Sequence, residues 1–343
     1  MSATIFVTGV SGYIGGHTVG VIVKQHPEWN IVALVRDQSQ VDIVKRTWPA
    51  VQTVIGTLDD HETLLAEGAK AHVVLQMASA DHIPGAKSII EGLGNGKKGY
   101  YISTSGTGML HDVPNGYGNP SSKIYHDIAD VKEITSFDET HVHRDVDAAV
   151  IEAGLAYKVP TAIVSPDTIH GVGAGPMKKR SIQIPFLTEA ILKRGKAFTV
   201  GAGKNFWDNV HISDLATAYI LLVEEALKPN GGAAVWGPEG YYFTETAEHT
   251  WLDVTAAIAK MAHERGSIAT LDIDQLDVAE ASKVHPWAPL LWGGNCRSRA
   301  DRLRSLGWKP TGPTIYESLP AMVDFEINSL GTQSTSTTFD AKN

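Results

Sequence analysis

The sequence predicts an α/β protein, a doubly wound parallel sheet with a smaller C-terminal α/β domain, and three observations predict it. The apolar run Thr4-Ile5-Phe6-Val7 passes straight into Thr8-Gly9-Val10-Ser11-Gly12-Tyr13-Ile14-Gly15 and then into a helical pattern, His17 to Lys24. Further apolar runs alternate with helical patterns as far as Val164. From about Gly171 the texture changes to more Gly, Pro and Trp and shorter elements. The expected strands are Thr4–Val7, Ile31–Val35, Val51–Ile55, His72–Met77, Gly99–Ser103 and Thr161–Val164. Their apolar character is continuous rather than alternating, as in strands covered on both faces by crossover helices. That is a Rossmann-type arrangement, with ligands at the carboxyl ends of the strands. Residues 1–170 are read as a dinucleotide-binding domain and 171–330 as mainly a substrate-binding domain. Segments such as 207–227 are shared, and 331–343 form a Ser/Thr-rich tail expected to be disordered.

The chain has 343 residues, 43% hydrophobic and 20% charged, enough for a sizeable core. A net charge of −9 with no long basic run argues against nucleic acid as a partner. The lone cysteine, Cys296, allows no internal disulfide and fits a reducing compartment. A first strand so close to Met1 leaves no room for a signal peptide, and no apolar stretch reaches membrane-spanning length. A cytoplasmic location is therefore expected.

The glycine-rich turn predicts a dinucleotide. Gly9, Gly12 and Gly15 let backbone approach a phosphate, and the helix that follows offers free N–H groups and the positive end of its dipole. Thr8, Tyr13 and Ile14 complete the turn. An acidic residue at the end of the second strand would bond a ribose hydroxyl, yet this strand ends Val35-Arg36-Asp37. The Arg36 fork suits a 2′-phosphate, so NADP is the favoured cofactor; NAD remains open if Asp37 takes the ribose. Thr57 and Leu58 are expected to flank the adenine, and Ala78, Ser79 and Ala80 to lie along the ribose and pyrophosphate.

From about residue 3 to 325 the chain resembles the extended short-chain dehydrogenase/reductase superfamily, the NAD-dependent epimerase/dehydratases. Thr8 to Gly15 is similar to that family's fingerprint, and Ile102-Ser103-Thr104-Ser105 to its strand-five serine segment. Ser165 to Gly171 resembles R-P-x-x-v-y-G, with Ser165 where arginine is usual. Gly201 to Ala216 resembles the G-x-G…V-H-V-x-D-L-A block, and Leu306-Gly307-Trp308-Lys309-Pro310 the terminal L-G-W-x-P. The resemblance implies that Ser103 and Thr104 border the cofactor and that Ser105 bonds a substrate carbonyl.

The family's usual Tyr-x-x-x-Lys is missing. Tyr117, Tyr125 and Tyr157 are followed four residues on by Ser121, Ala129 and Thr161. The helix expected to carry the pair reads Glu139 to Val150, on which His143, Val146, Asp147 and Val150 share one face. His143 stands either for the tyrosine, with Asp147 for the lysine, or for the lysine, with Glu139 for the tyrosine. A histidine beside a carboxylate can do acid/base work near neutral pH. Tyr125 is a spare proton donor. His141 and His143 point apart on a helix and no third ligand has metal spacing, so no metal is expected. Ser105 lacks a nucleophile-elbow setting.

Pocket candidates from the second domain are His170, Met177, Trp207, Trp292, Asn295 and Arg297. Their aromatics suit a fairly apolar small-molecule substrate. The expected function is an NADPH-dependent reductase of a small, fairly apolar carbonyl or related unsaturated compound. The alternatives are an NAD(P)-dependent epimerase or isomerase, and a non-catalytic redox-sensing regulator like those of nitrogen metabolite repression. A homodimer is the family's habit.

Overall fold

The computed structural model describes residues 2–332. Strands β1 (Thr4–Thr8), β2 (Asn30–Val35), β3 (Gln52–Ile55), β4 (Val73–Gln76), β5 (Tyr100–Thr104), β6 (Thr161–Ser165) and β7 (Tyr241–Phe243) form a seven-stranded sheet. Their order is β7-β6-β5-β4-β1-β2-β3, and every neighbouring pair is parallel. The run of connections reverses between β1 and β4, which opens a crevice at the carboxyl ends of those strands. The central strands are buried on both faces; Ile5, Val7, Val73, Val74 and Leu75 have no exposure at all. The helices are α1 (Tyr13–Gln25), α2 (Gln38–Thr47), α3 (His61–Lys70), α4 (Ile83–Asn95), α5 (Arg144–Tyr157), α6 (Gln183–Arg194) and α7 (Ile212–Leu227). On one face α1 packs against α7, and on the other α3, α4 and α5 pack in succession, the layering that right-handed crossovers impose.

Three expectations change. The sequence reading stopped at six strands, but Tyr241-Tyr242-Phe243, deep in the second half, returns to pair with β6. These three residues are too short a run to show a period, and their burial comes from the sheet they join. The helix expected over Glu139–Val150 begins only at Arg144. His143 precedes it in the left-handed region, at φ +68°. It therefore does not share a helix face with Asp147. Gly331 and Thr332 of the expected tail instead end the helix Ile315–Thr332; its remainder lies outside the described residues.

The second half builds a three-stranded sheet from Thr168–His170, Phe206–His211 and Ala247–Thr250. Against it, α6 packs with the helices Trp251–Glu264 and Ile315–Thr332. Trp251 and Trp292 are fully enclosed there, each burying roughly 150–250 Å². This layer hangs two segments over the crevice of the large sheet: the stretch 171–183, and the turn Pro289–Gly293. No helix of the described residues is long and apolar enough to cross a membrane.

Candidate active site

The crevice begins at the turn after β1. The Gly12 N–H closes it on the Gly9 carbonyl at 2.8 Å, with Gly9 at φ +80°. A Cβ on Gly9 would lie 2.4 Å from the Met77 carbonyl oxygen, and one on Gly15 would lie 2.2 Å from that of Gly9. Gln76 ties the two strand ends together. Its Oε1 accepts from Thr8 Oγ1 at 2.7 Å and from the Ala78 N–H at 2.9 Å. Thr8 is thus turned into the sheet and does not face the crevice. Tyr13 lines the crevice, but its hydroxyl donates to the Gly171 carbonyl at 2.7 Å and so stitches the two halves together. The cradle fits a dinucleotide pyrophosphate: side-chain-free backbone beside a helix N-terminus whose first turn holds no acid.

At the end of β2, Asp37 caps α2. It accepts from the Gln40 N–H at 3.0 Å and from Ser39 Oγ at 2.5 Å. Arg36 is exposed, and its guanidinium has no hydrogen bond or ion pair among the described residues. Thr57 bonds Asp60 through its N–H and hydroxyl, and Leu58 packs beside Gly85. Ala78 lines the crevice; Ser79 Oγ accepts from the Asp81 N–H at 3.2 Å, and Ala80 lies between them and Asp81. Ser103 is buried with no partner for its hydroxyl. The Thr104 hydroxyl pairs with Tyr219 of α7 at 2.6 Å. Neither lines the cavity that opens beyond the turn.

Beyond the turn the crevice widens into a cavity of about 450 Å³. Its walls are largely apolar: Met77, Val142, Pro166, Ile169, Ile182, Trp207, Leu290 and Leu291. Polar groups enter at His143, Asp167, Lys178, Arg180, Ser181 and Gln183. Of the expected catalytic residues, only His143 lines this cavity. Its Nδ1 pairs with Asp81 Oδ1 at 2.5 Å. Its Nε2 side lies over Gly106, where an added Cβ would be 3.3 Å away. Burial pulls the imidazole pKa down. The Asp81 hydrogen bond and charge, with Asp147 and Asp145 behind, outweigh it and leave the pKa above the usual histidine value.

Ser105 and Asp147 meet each other instead of the cavity. Ser105 Oγ donates to Asp147 Oδ2 at 3.0 Å, and the Tyr241 hydroxyl donates to the same oxygen at 2.7 Å. Ser165 Oγ donates in turn to Tyr241 at 2.9 Å. The serine where arginine is usual thus supports this closed cluster. Burial, opposed by the Tyr241 and Ser105 hydrogen bonds, lifts the Asp147 carboxyl to about 6. Tyr125 lies on a short strand paired with Ser298–Arg299, edge-on to Phe137 at 5.8 Å and beneath the Lys123 ammonium. It does not reach the cavity.

Among the substrate candidates only Trp207 lines the cavity, its indole N–H held by the Gly294 carbonyl at 2.9 Å. His170 is wholly buried, with Nδ1 on Ser318 Oγ and its ring against His211. Trp292 is core, bonded to the Gln183 carbonyl. Asn295 accepts the N–H groups of Ser121 and Phe206 and serves as a loop clasp. Arg297 bonds Glu248 through both Nε and Nη2 and stacks on Phe206. Met177 packs against the core next to the cavity-lining Lys178.

Sequence reasoning missed Asp81, Asp167, Lys178, Ser181, Gln183 and the Leu290–Leu291 wall. Asp81 carried a signal, since it directly follows the segment Ala78–Ala80 already assigned to the cofactor. Asp167 and Asp208 are joined by Ser298, which gives its hydroxyl to Asp167 at 2.7 Å and its N–H to Asp208. Burial holds both carboxyls well above the ordinary range, helped by repulsion from Glu245 at Asp167 and from Asp167 and Glu245 at Asp208. Cys296 is enclosed beside them, its Sγ donating to the Thr107 carbonyl at 2.8 Å, and burial raises its pKa far above a free thiol's.

These buried groups make folding pH-dependent in two directions. Burial pushes His17 down to about 4 and His170 and His249 to about 3, so stability falls as pH drops below the unfolded histidine value of roughly 6.5. Burial lifts Asp127 to about 7 and Asp147 to about 6. Their contribution is complete below roughly pH 4 and is lost as pH rises through those values. Between pH 4 and 6.5 the two oppose each other; above 6.5 the raised carboxyls act together with His143, whose raised pKa loses stability in the same direction. Urea midpoints should therefore fall from pH 6.5 to 8.5, and Asp127→Asn should make that limb shallower, with Asp167, Asp208 and His143 supplying the rest of the fall. A midpoint still rising across that range would refute the assignment.

The chain was compared with known proteins. The NmrA-like family model matches residues 1–94. The oxidase ucsJ of an Acremonium species is 34% identical over 346 residues, spanning 96% of this chain and 99% of that protein. The uncharacterized protein C2A9.02 of Schizosaccharomyces pombe is 25% identical over 326 residues, covering 92% of this chain and 97% of its own. The solved structures that share the fold include two dehydratases with NAD bound. The dTDP-glucose 4,6-dehydratase DesIV of Streptomyces venezuelae with NAD bound has a TM-score of 0.67 at 15% identity and covers 96% of this chain and 98% of that one. The dTDP-glucose 4,6-dehydratase of Bacillus anthracis in complex with NAD has a TM-score of 0.65 at 16% identity, covering 95% and 97%. With a relative this similar over nearly its whole length, the chain belongs to the family of the oxidase ucsJ and is an oxidoreductase-type enzyme, built on the Rossmann-type fold that the two NAD-bound dehydratases share.

Proposed function

We propose that the protein is an NADPH-dependent reductase of a small, fairly apolar carbonyl or related unsaturated compound. The observation that carries this reading is the His143–Asp81 pair on the wall of a largely apolar cavity that opens from the glycine cradle. A reduced nicotinamide bound there would supply a hydride to the substrate carbon. The substrate oxygen gains its proton from His143 Nε2, while Asp81 holds the imidazolium by Nδ1 and fixes the direction of the transfer. Asp147, Ser105 and Tyr241 brace the helix behind His143. Val142, Ile169, Trp207, Leu290 and Leu291 exclude water and favour an apolar substrate body; Gln183 and Ser181 offer hydrogen bonds to its polar end.

Arg36 supports NADP over NAD. Asp37, the acid otherwise placed to take a ribose hydroxyl, is engaged as a helix cap, whereas the guanidinium is free. Arg36→Ala is expected to weaken NADP and NADPH about 10–100-fold with little change for NAD, a charge-assisted hydrogen bond being worth about 1.5–3 kcal/mol. Parallel calorimetric titrations of the four nucleotides check this; equal losses for NAD and NADP would refute it. The function itself is tested by following NADPH oxidation over a panel of apolar aldehydes, ketones and enones. Turnover supports the reductase reading. Nucleotide binding with no turnover on any of them, and no reverse reaction on the alcohols, would overturn it in favour of a redox-sensing regulator.

A further inference from the structure

The second half of the chain reaches back over the glycine turn. The Gly173 position abuts the Tyr13 ring, and the Ala174 N–H donates to His17 Nδ1 at 3.1 Å. At Gly16 an added Cβ would stand 3.2 Å from the Gly175 Cα, and the Lys178 N–H donates to the Ser11 carbonyl at 3.3 Å. Segment 171–178 is therefore laid across the first two turns of α1 and ends with a lysine on the very loop that carries Gly9 and Gly12. Lys178 lines the cavity beside Gly12 and Ile14. Its ammonium has no hydrogen bond or ion pair among the described residues, whereas Arg180, two positions on, is bound to Glu189 and Glu326.

We propose that Lys178 is a cofactor-binding residue, and that its ammonium neutralises the dinucleotide pyrophosphate from the side opposite the α1 N-terminus. The inference rests on the nucleotide reading above and deepens it. Glycine cradles bind a pyrophosphate through N–H groups and a partial dipole charge, which leaves most of its double negative charge to solvent. A lysine whose backbone is held on the cradle loop carries a full charge on a flexible stem within reach of it. The same segment continues into Arg180, Ser181, Ile182 and Gln183 of the cavity wall, so the nucleotide would tie the substrate wall to the first half of the chain.

The test is calorimetry on the full chain with NADP, NAD, ADP-ribose and adenosine 2′-monophosphate, for the wild type, Lys178→Met and Lys178→Arg. Lys178→Met should weaken the three pyrophosphates alike by about tenfold or more and leave the monophosphate unchanged, and Lys178→Arg should restore most of the loss. Pyrophosphate affinities unchanged in Lys178→Met, or a loss confined to NADP, would overturn the proposal while leaving the nucleotide site intact. Failure of the wild type to bind any pyrophosphate would instead remove the nucleotide reading and this one with it. Limited trypsinolysis gives a second readout, because Lys178, Lys179 and Arg180 are consecutive cleavage sites and the two lysines are exposed. ADP-ribose should slow cutting there in the wild type and not in Lys178→Met; equal protection in both would overturn the assignment.

Discussion

Replacing His143 with asparagine is expected to lower kcat by about 10²–10⁴-fold while nucleotide affinity stays as it was. Asparagine is the informative substitution because the residue sits at φ +68°, a conformation that Asn and His accept and alanine accepts at a penalty. The pH profile separates an acid from a bystander. His143 works protonated, and Asp81 holds its pKa above the ordinary histidine value, so activity should fall as pH rises through that elevated value. Asp81→Asn removes the hydrogen-bonded charge and should move the alkaline limb to lower pH, with kcat partly kept on the acid side. A wild-type profile in Asp81→Asn, or full activity in His143→Asn, would remove His143 from the chemistry.

The second large effect concerns Gly15→Ala. The new methyl would stand 2.2 Å from the Gly9 carbonyl oxygen and 2.7 Å from the Gly9 carbonyl carbon. Both belong to backbone that cannot step aside without opening the turn. A destabilisation of about 3 kcal/mol is expected from such overpacking, together with loss of nucleotide affinity of about 100-fold. Gly108→Ala is the matched control. It lines the cavity, and an added Cβ there meets nothing within 4 Å, so denaturation midpoint and nucleotide affinity should both match the wild type. Equal behaviour of the two variants would show that the turn is not a close-packed cradle.

The large sheet was legible in the sequence because its strands are buried on both faces, and continuous apolar runs announce such burial. Tyr241–Phe243 was not, since only the neighbouring strand explains it. The tight glycine turn was also readable, because steric need acts locally. Catalytic geometry was harder. The expected stacking of His143 on Asp147 assumed a helix running through both, but the left-handed turn at His143 separates them and sends the imidazole to Asp81, 62 residues earlier in the chain. Ser105 sits beside the cavity-lining Gly106, yet its hydroxyl is drawn inward by Asp147. The tryptophans divide for a similar reason: Trp207 and Trp292 are both buried, but only Trp207 has the Leu290–Leu291 wall opposite it across a cavity.

The burial of Cys296 has a practical consequence for watching this molecule work. The one thiol in the chain is sealed beside Thr107 and held protonated at neutral pH, so maleimide dyes should leave the native protein unmarked. A cysteine placed at the exposed Ala174, above α1, can then be labelled alone, without first stripping the background. A fluorophore there would report, in the otherwise unaltered enzyme, how the crossing segment responds as nucleotide and substrate come and go.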